Sequence, residues 1–92
     1  MIRPVIVTTE YRGVFFGYAD DTSGDVVTLK KMRNCIYWDA SIGGFAGLAK
    51  TGPNNKCRIG AESDGELRKI TSVLEVTPEA ESAWNDAKTY KG

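Results

Sequence analysis

Arg33-Asn34-Cys35-Ile36-Tyr37-Trp38-Asp39, with the run SIGGFAGLAKTG from Ser41 to Gly52, holds the residues of this chain best suited to chemistry. Tyr37 and Trp38 are adjacent large aromatics, and Lys30, Lys31 and Arg33 stand just upstream. An aromatic beside an arginine is the usual composition of a binding hot spot, because it joins a large contact area to a directional charge. Asp39 or Ser41 can cap a helix start. Gly43-Gly44 would let a partner approach the backbone and the helix N-terminus, a place that favours anions. The candidate binding residues are therefore Lys31, Arg33, Tyr37, Trp38, Asp39, Ser41, Gly43 and Gly44. The competing expectation is that both aromatics are core and the glycines only ease packing. In a strand, residues 37 and 38 point to opposite faces, so only one of the two can face outward.

Other chemistries find little support. The 92 residues include no histidine, which removes the commonest general base, the commonest metal ligand and every Ser–His or Cys–His pair. Cys35 and Cys57 are too few for a zinc site or a disulfide framework. Both are expected to be reduced and to act as small buried hydrophobes. Asp20 to Asp25 has the outline of a calcium loop but lacks the alternating ligands and the terminal Glu, so it reads as a hairpin turn. The expectation is a binding protein rather than an enzyme, without metal or cofactor.

Twelve basic and twelve acidic residues cancel. A neutral domain has no global field to draw it onto nucleic acid or an anionic membrane, and it lacks the self-repulsion that keeps small proteins apart. That points to a homo-oligomer, most simply a two-fold dimer. The N-terminal Met-Ile-Arg-Pro-Val-Ile-Val has too short an apolar run for a secretory signal, and no stretch approaches the roughly 18 apolar residues of a membrane span. A soluble cytoplasmic protein with no membrane partner is the expectation.

The elements that must position these residues are mostly strands. Pro4–Thr9 is rich in β-branched residues, and Gly13–Ala19 is apolar on both faces, as a central strand would be. Asp25–Lys30 and Asn34–Trp38 read as a third and a fourth strand, and Lys56–Ala61 as a short one. From Ser41 the period changes: Ile42, Phe45, Leu48 and Ala49 fall at helical spacing until Gly52-Pro53. Gly43, Gly44 and Gly47 inside that helix, each costing up to about 1 kcal/mol, suggest close backbone packing or a helix partly stabilised by a partner. Leu67–Val76 also fits a helix, but Ile70, Thr71, Val73 and Val76 favour a strand. Thr77 as cap, Pro78 at the first helical position and Glu79 and Glu81 in the first turn announce a C-terminal helix, with Trp84 on its apolar stripe. The sum is one α+β domain over residues 1–92: a strongly bent antiparallel sheet or small β-barrel, a short central helix and a C-terminal helix.

Gly13-Val14-x-Phe16-Gly17, Tyr37-Trp38, Leu48-Ala49, Gly52 and the Ile-containing strand before an acidic helix resemble a family of small uncharacterised proteins common in tailed-phage genomes. The resemblance spans roughly residues 5 to 88 and brings no catalytic residues with it. It implies a phage-encoded accessory protein that binds a host protein or a small nucleotide ligand in the host cytoplasm, for example to inhibit an antiviral defence. Two other classes stay open. Lys30, Lys31 and Arg33 beside the aromatics could serve a single-stranded nucleic-acid binder, and a small neutral domain could be a structural or assembly part of the virion.

Overall fold

The β-branched and aromatic runs build a six-stranded antiparallel sheet carrying two helices, an α+β fold. The computed structural model describes residues 2–10 and 13–90. Strand β1 (Arg3–Thr9) pairs along its whole length with β2 (Gly13–Ala19), from Arg3 opposite Ala19 to Thr9 opposite Gly13. The two segments expected as third and fourth strands are one 12-residue strand, β3 (Val26–Tyr37). The polar stretch that suggested a break is a bulge: Lys31 takes a left-handed φ of 52°, and the pairing register shifts there without ending the strand.

The expected strand Lys56–Ala61 shortens to β4 (Arg58–Ile59), which pairs with the end of β3 through Cys35–Ile59 and Tyr37–Arg58. The region expected as one strand over Leu67–Val76 is two. β5 (Ser63–Arg68) pairs with the first half of β3, and β6 (Ile70–Glu75) pairs with β1. Lys69, at φ 57°, is the single residue between them and changes the chain direction. The sheet order is β4-β3-β2-β1-β6, with β5 alongside β3.

The central helix is shorter than its periodicity predicts. Ala40–Ile42 forms one 3₁₀ turn, and α1 spans Gly44–Lys50. Gly43 and Gly44 have φ of 87° and 75°, so the pair is the joint between the two pieces rather than helix interior. Gly47 does answer to close packing: a Cβ there would sit 1.6 Å from the Ile42 carbonyl oxygen. Helix α2 (Pro78–Asp86) starts as expected, with the Thr77 hydroxyl accepting from the Ala80 amide at 3.1 Å. The same hydroxyl donates to the Lys50 carbonyl at 2.5 Å, which joins the end of α1 to the start of α2.

Both sheet faces are covered. On one side Ile6, Val14, Phe16, Cys35 and Ile59 meet Leu48, Ala49, Ala80 and Trp84 from the helices. Trp84 lies flat on Phe16 at 5.1 Å and donates its indole N–H to the Leu48 carbonyl at 3.1 Å, so it docks α2 onto the sheet. On the other side Val5, Val7, Ala19, Val27 and Leu29 pack with Phe15, Leu67, Ile70 and Val73. Complete burial of such side chains is worth about 1.5–3 kcal/mol each. No helix among the described residues is long and apolar enough to cross a membrane.

Arg33 corrects the expectation of a surface residue. It is only 5% exposed. Its guanidinium donates to the carbonyls of Gly60 at 3.0 Å, Trp84 at 2.7 Å and Ala87 at 2.7 Å, and to the Thr89 hydroxyl at 3.4 Å. The positive charge thus sits against the last carbonyls of α2, where the helix dipole is negative.

Two substitutions check this packing. Arg33→Ala leaves buried carbonyls unpaired and is expected to cost about 3 kcal/mol by urea unfolding. Gly47→Ala, which would ordinarily stabilise a helix by about 1 kcal/mol, should instead destabilise the protein. A gain in stability for either would show that the α1 and α2 contacts are wrongly drawn.

Candidate functional site

Strand β3 runs past β2, and its last residues carry the exposed aromatic chemistry. Tyr37 is 48% exposed, while Trp38 is half-buried and packs on the helix-side core. Tyr37 is therefore the outward member of the pair. Trp38 turns its ring edge-on to Phe45 of α1, with centroids 5.6 Å apart, so the aromatic pair divides between surface and core. Its pairing with β4 places Arg58 over the Tyr37 ring, 5.6 Å from the centroid. The chain after α2 then returns. Thr89 bridges to Ile59, and the Tyr90 amide donates to the Ile59 carbonyl at 2.8 Å. Tyr90 comes to lie 5.0 Å from the same guanidinium. The result is one arginine lying over the rings of two exposed tyrosines, with exposed Ile36 beside Tyr37 in the chain. A shallow recess of about 330 Å³ opens at Cys35, Ile36, Tyr37 and Trp38.

The turn after Trp38 is held by its own side chains. The Asp39 carboxylate accepts from the Ser41 amide at 3.1 Å and from the Ser41 hydroxyl, and Asn54 reaches that hydroxyl at 3.5 Å. These bonds, helped by nearby Lys56, hold the Asp39 carboxyl below the usual range. Asp39 and Ser41 thus cap the 3₁₀ turn and serve each other. The Gly43-Gly44 pair, expected to open the helix N-terminus to a partner, stands in open space at the start of α1. The Gly43 amide already donates to Ala40 at 3.3 Å, and α1 is a seven-residue helix entered through left-handed backbone.

Lys31 belongs elsewhere. Its amide donates to Asp64 at 3.0 Å, and the Lys30 ammonium is 3.7 Å from the same carboxylate. These contacts hold Asp64 below the ordinary carboxylate range. Lys31 borders a recess of about 250 Å³ with Ile2, Tyr18 and Lys30, about 20 Å along β3 from Tyr37 at the usual strand rise. Of the eight expected residues, Tyr37, Trp38, Asp39, Ser41, Gly43 and Gly44 share one end of the molecule, Lys31 lies at another and Arg33 is inside. Arg58 and Tyr90 escaped the sequence reading. They are remote from Tyr37 in the chain, and only the pairing of the Lys56–Ala61 segment with Asn34–Trp38 would have revealed Arg58.

The two thiols differ. Burial, with the neighbouring Cys57 second, pushes the Cys35 thiol up to about 12. Cys57 is half-buried, in a wider cleft of about 430 Å³ between Pro53–Asn55 and Ala83–Lys88, with its Sγ 3.6 Å from Asn54 Oδ1. No group of three potential metal-ligating side chains occurs among the described residues.

The family model described as a domain of unknown function, DUF6948, matches residues 2–84, and the chain belongs to that family. No curated protein and no solved structure matches the chain.

Two measurements follow from these environments. Iodoacetamide should modify Cys57 in the native protein and Cys35 only after denaturation; mass spectrometry finding Cys35 labelled first would refute its burial. The carboxyls of Asp21, Asp39 and Asp64 are all lowered, chiefly by hydrogen bonds from Ser23, Ser41 and the Lys31 amide. Their folded values lie below their unfolded ones, so their stabilisation is complete above the unfolded value and is lost as pH falls below about 4. Asp39→Asn should flatten the fall of Tm in that range, and a Tm–pH curve parallel to that of the parent would count against the Asp39 turn.

Proposed function

We propose that this member of the DUF6948 family is a phage-encoded accessory protein that binds a host component through the face carrying Tyr37, Arg58 and Tyr90. The observation that carries the reading is the cluster itself: a guanidinium lying over two exposed tyrosines, with Ile36 and Phe45 exposed as well. Large rigid aromatics with an arginine supply contact area and direction at low entropic cost, which is what binding hot spots need. The host component is a protein, or a small nucleotide signal whose base the tyrosines would stack, and occupation of this face would inhibit a host antiviral defence in the cytoplasm.

The separation of Lys30 and Lys31 from Tyr37 weighs against a single-stranded nucleic-acid binder, whose cations must follow the backbone past the stacking rings. Zero net charge and the exposed apolar residues favour a homo-oligomer. The bent or barrel-like form of the sheet belongs to the same proposal. It is supported by β5 pairing with β3 and β6 with β1 across the single residue Lys69.

The test is affinity capture of the tagged protein from infected host cells, with Tyr37→Ala and Tyr90→Ala in parallel. Parent protein should retain a partner that both variants lose at least about tenfold, a deficit of about 1.4 kcal/mol, while their Tm stays near that of the parent. If both variants hold the partner as well as the parent does, this face is not the working surface.

A further inference from the structure

We propose that Arg58 is the docking point for a single carboxylate side chain of the partner protein, presented beside an apolar residue that enters the recess at Cys35–Trp38. The inference rests on the preceding reading of this face and specifies the chemistry of what it meets. Four other cations of the sheet surface are paired within the chain. Arg3 lies 2.9 Å from Glu75, Lys30 3.7 Å from Asp64, Arg68 3.3 Å from Glu66 and Lys69 3.8 Å from Glu10. Arg33 is spent on carbonyls and Thr89. Among the described residues Arg58 makes no ion pair and no side-chain hydrogen bond; its neighbours are the rings of Tyr37 and Tyr90.

Rings and guanidinium divide the work. Cation–π attraction holds the guanidinium in place and limits its rotamers before any partner arrives. The in-plane N–H donors, which lie in a rigid fork matching a carboxylate, are left for an outside acceptor. Tyr37 both stacks on Arg58 and lines the recess of about 330 Å³. A carboxylate on Arg58 and an apolar side chain in the recess would therefore come from neighbouring positions of one segment.

A single carboxylate fits better than a polyanion. The protein carries no net charge, and in the middle of β3 the Lys30 ammonium and the Lys31 amide are both turned to Asp64. Lys56, near the Asp39 turn, acts on the Asp39 carboxylate.

The experiment selects a displayed library of random short peptides on the full chain. The enriched peptides are then measured against parent, Arg58→Gln, Arg58→Lys and Tyr37→Ala proteins by fluorescence anisotropy, with Tm confirming the folding of each variant. The expected result is enrichment of Asp or Glu next to an apolar residue. Arg58→Gln should weaken binding at least about tenfold, Arg58→Lys should restore little of it, and changing the acidic residue to its amide should cost parent protein a similar factor. Peptides without acidic residues that lose Tyr37→Ala but keep Arg58→Gln would overturn the carboxylate site while leaving the binding face intact. Peptides indifferent to all three variants, or no enrichment at all, would remove both. A thymidine oligonucleotide that binds more tightly than any peptide, with dependence on Arg58, would assign the guanidinium to phosphate and also overturn the proposal.

Discussion

One buried cation ties together the end of this molecule that carries Tyr37, Arg58 and Tyr90. The guanidinium of Arg33 reaches from β3 to the end of α2, to Gly60 after β4 and to Thr89 beyond the helix. Its charge is balanced by carbonyl dipoles, and by their concentration at a helix C-terminus, so its desolvation is offset only while all these partners stay in place. The position of the last residues follows from this. Thr89 is brought beside Ile59, the Tyr90 amide bonds the Ile59 carbonyl, and Tyr90 arrives over Arg58. A contact in the interior thus arranges a surface to which it contributes no atom.

The sheet is the second constraint. β1 and β2 are apolar on both faces because they serve two cores, one under the helices and one toward β5 and β6. Left-handed backbone at Lys31 and Lys69 lets β3 bend and lets β5 and β6 take different partners. Each such non-glycine residue costs roughly 1 kcal/mol, which pairing on both sides offsets. With β5 occupying only the first half of β3, the second half is left to β4. That is what sets Tyr37 and Arg58 side by side.

Local rules reached some of this directly. The whole of β2, the start of α2 at Thr77-Pro78 and the inward role of Trp84 follow from hydrophobic alternation, capping chemistry and helical spacing. Each is decided by a few neighbouring residues. The bulge at Lys31 and the turn at Lys69 were invisible because neither lysine is a residue that advertises positive φ; the conformation is imposed by the strands they join. Gly43 and Gly44 were legible as unusual, but whether they sat within the helix or broke it depended on how the 3₁₀ turn met α1.

Composition and periodicity determined the class of this protein by themselves: a neutral α+β domain, strand-rich, with an aromatic and an arginine near the end of a strand. The two-residue repeat of a strand also led to the expectation that only one of Tyr37 and Trp38 faces outward, although β3 ends at Tyr37 and the half-burial of Trp38 comes from its packing on the helix side. Tertiary structure alone decided which arginine is inside. Arg33 and Arg58 have the same chemistry, and the choice turns on whether the end of a helix is there to accept the charge. It also alone brought Tyr90 from the far end of the chain onto Arg58. Contacts between distant segments are set by strand pairing and helix docking, and no window of sequence contains both partners.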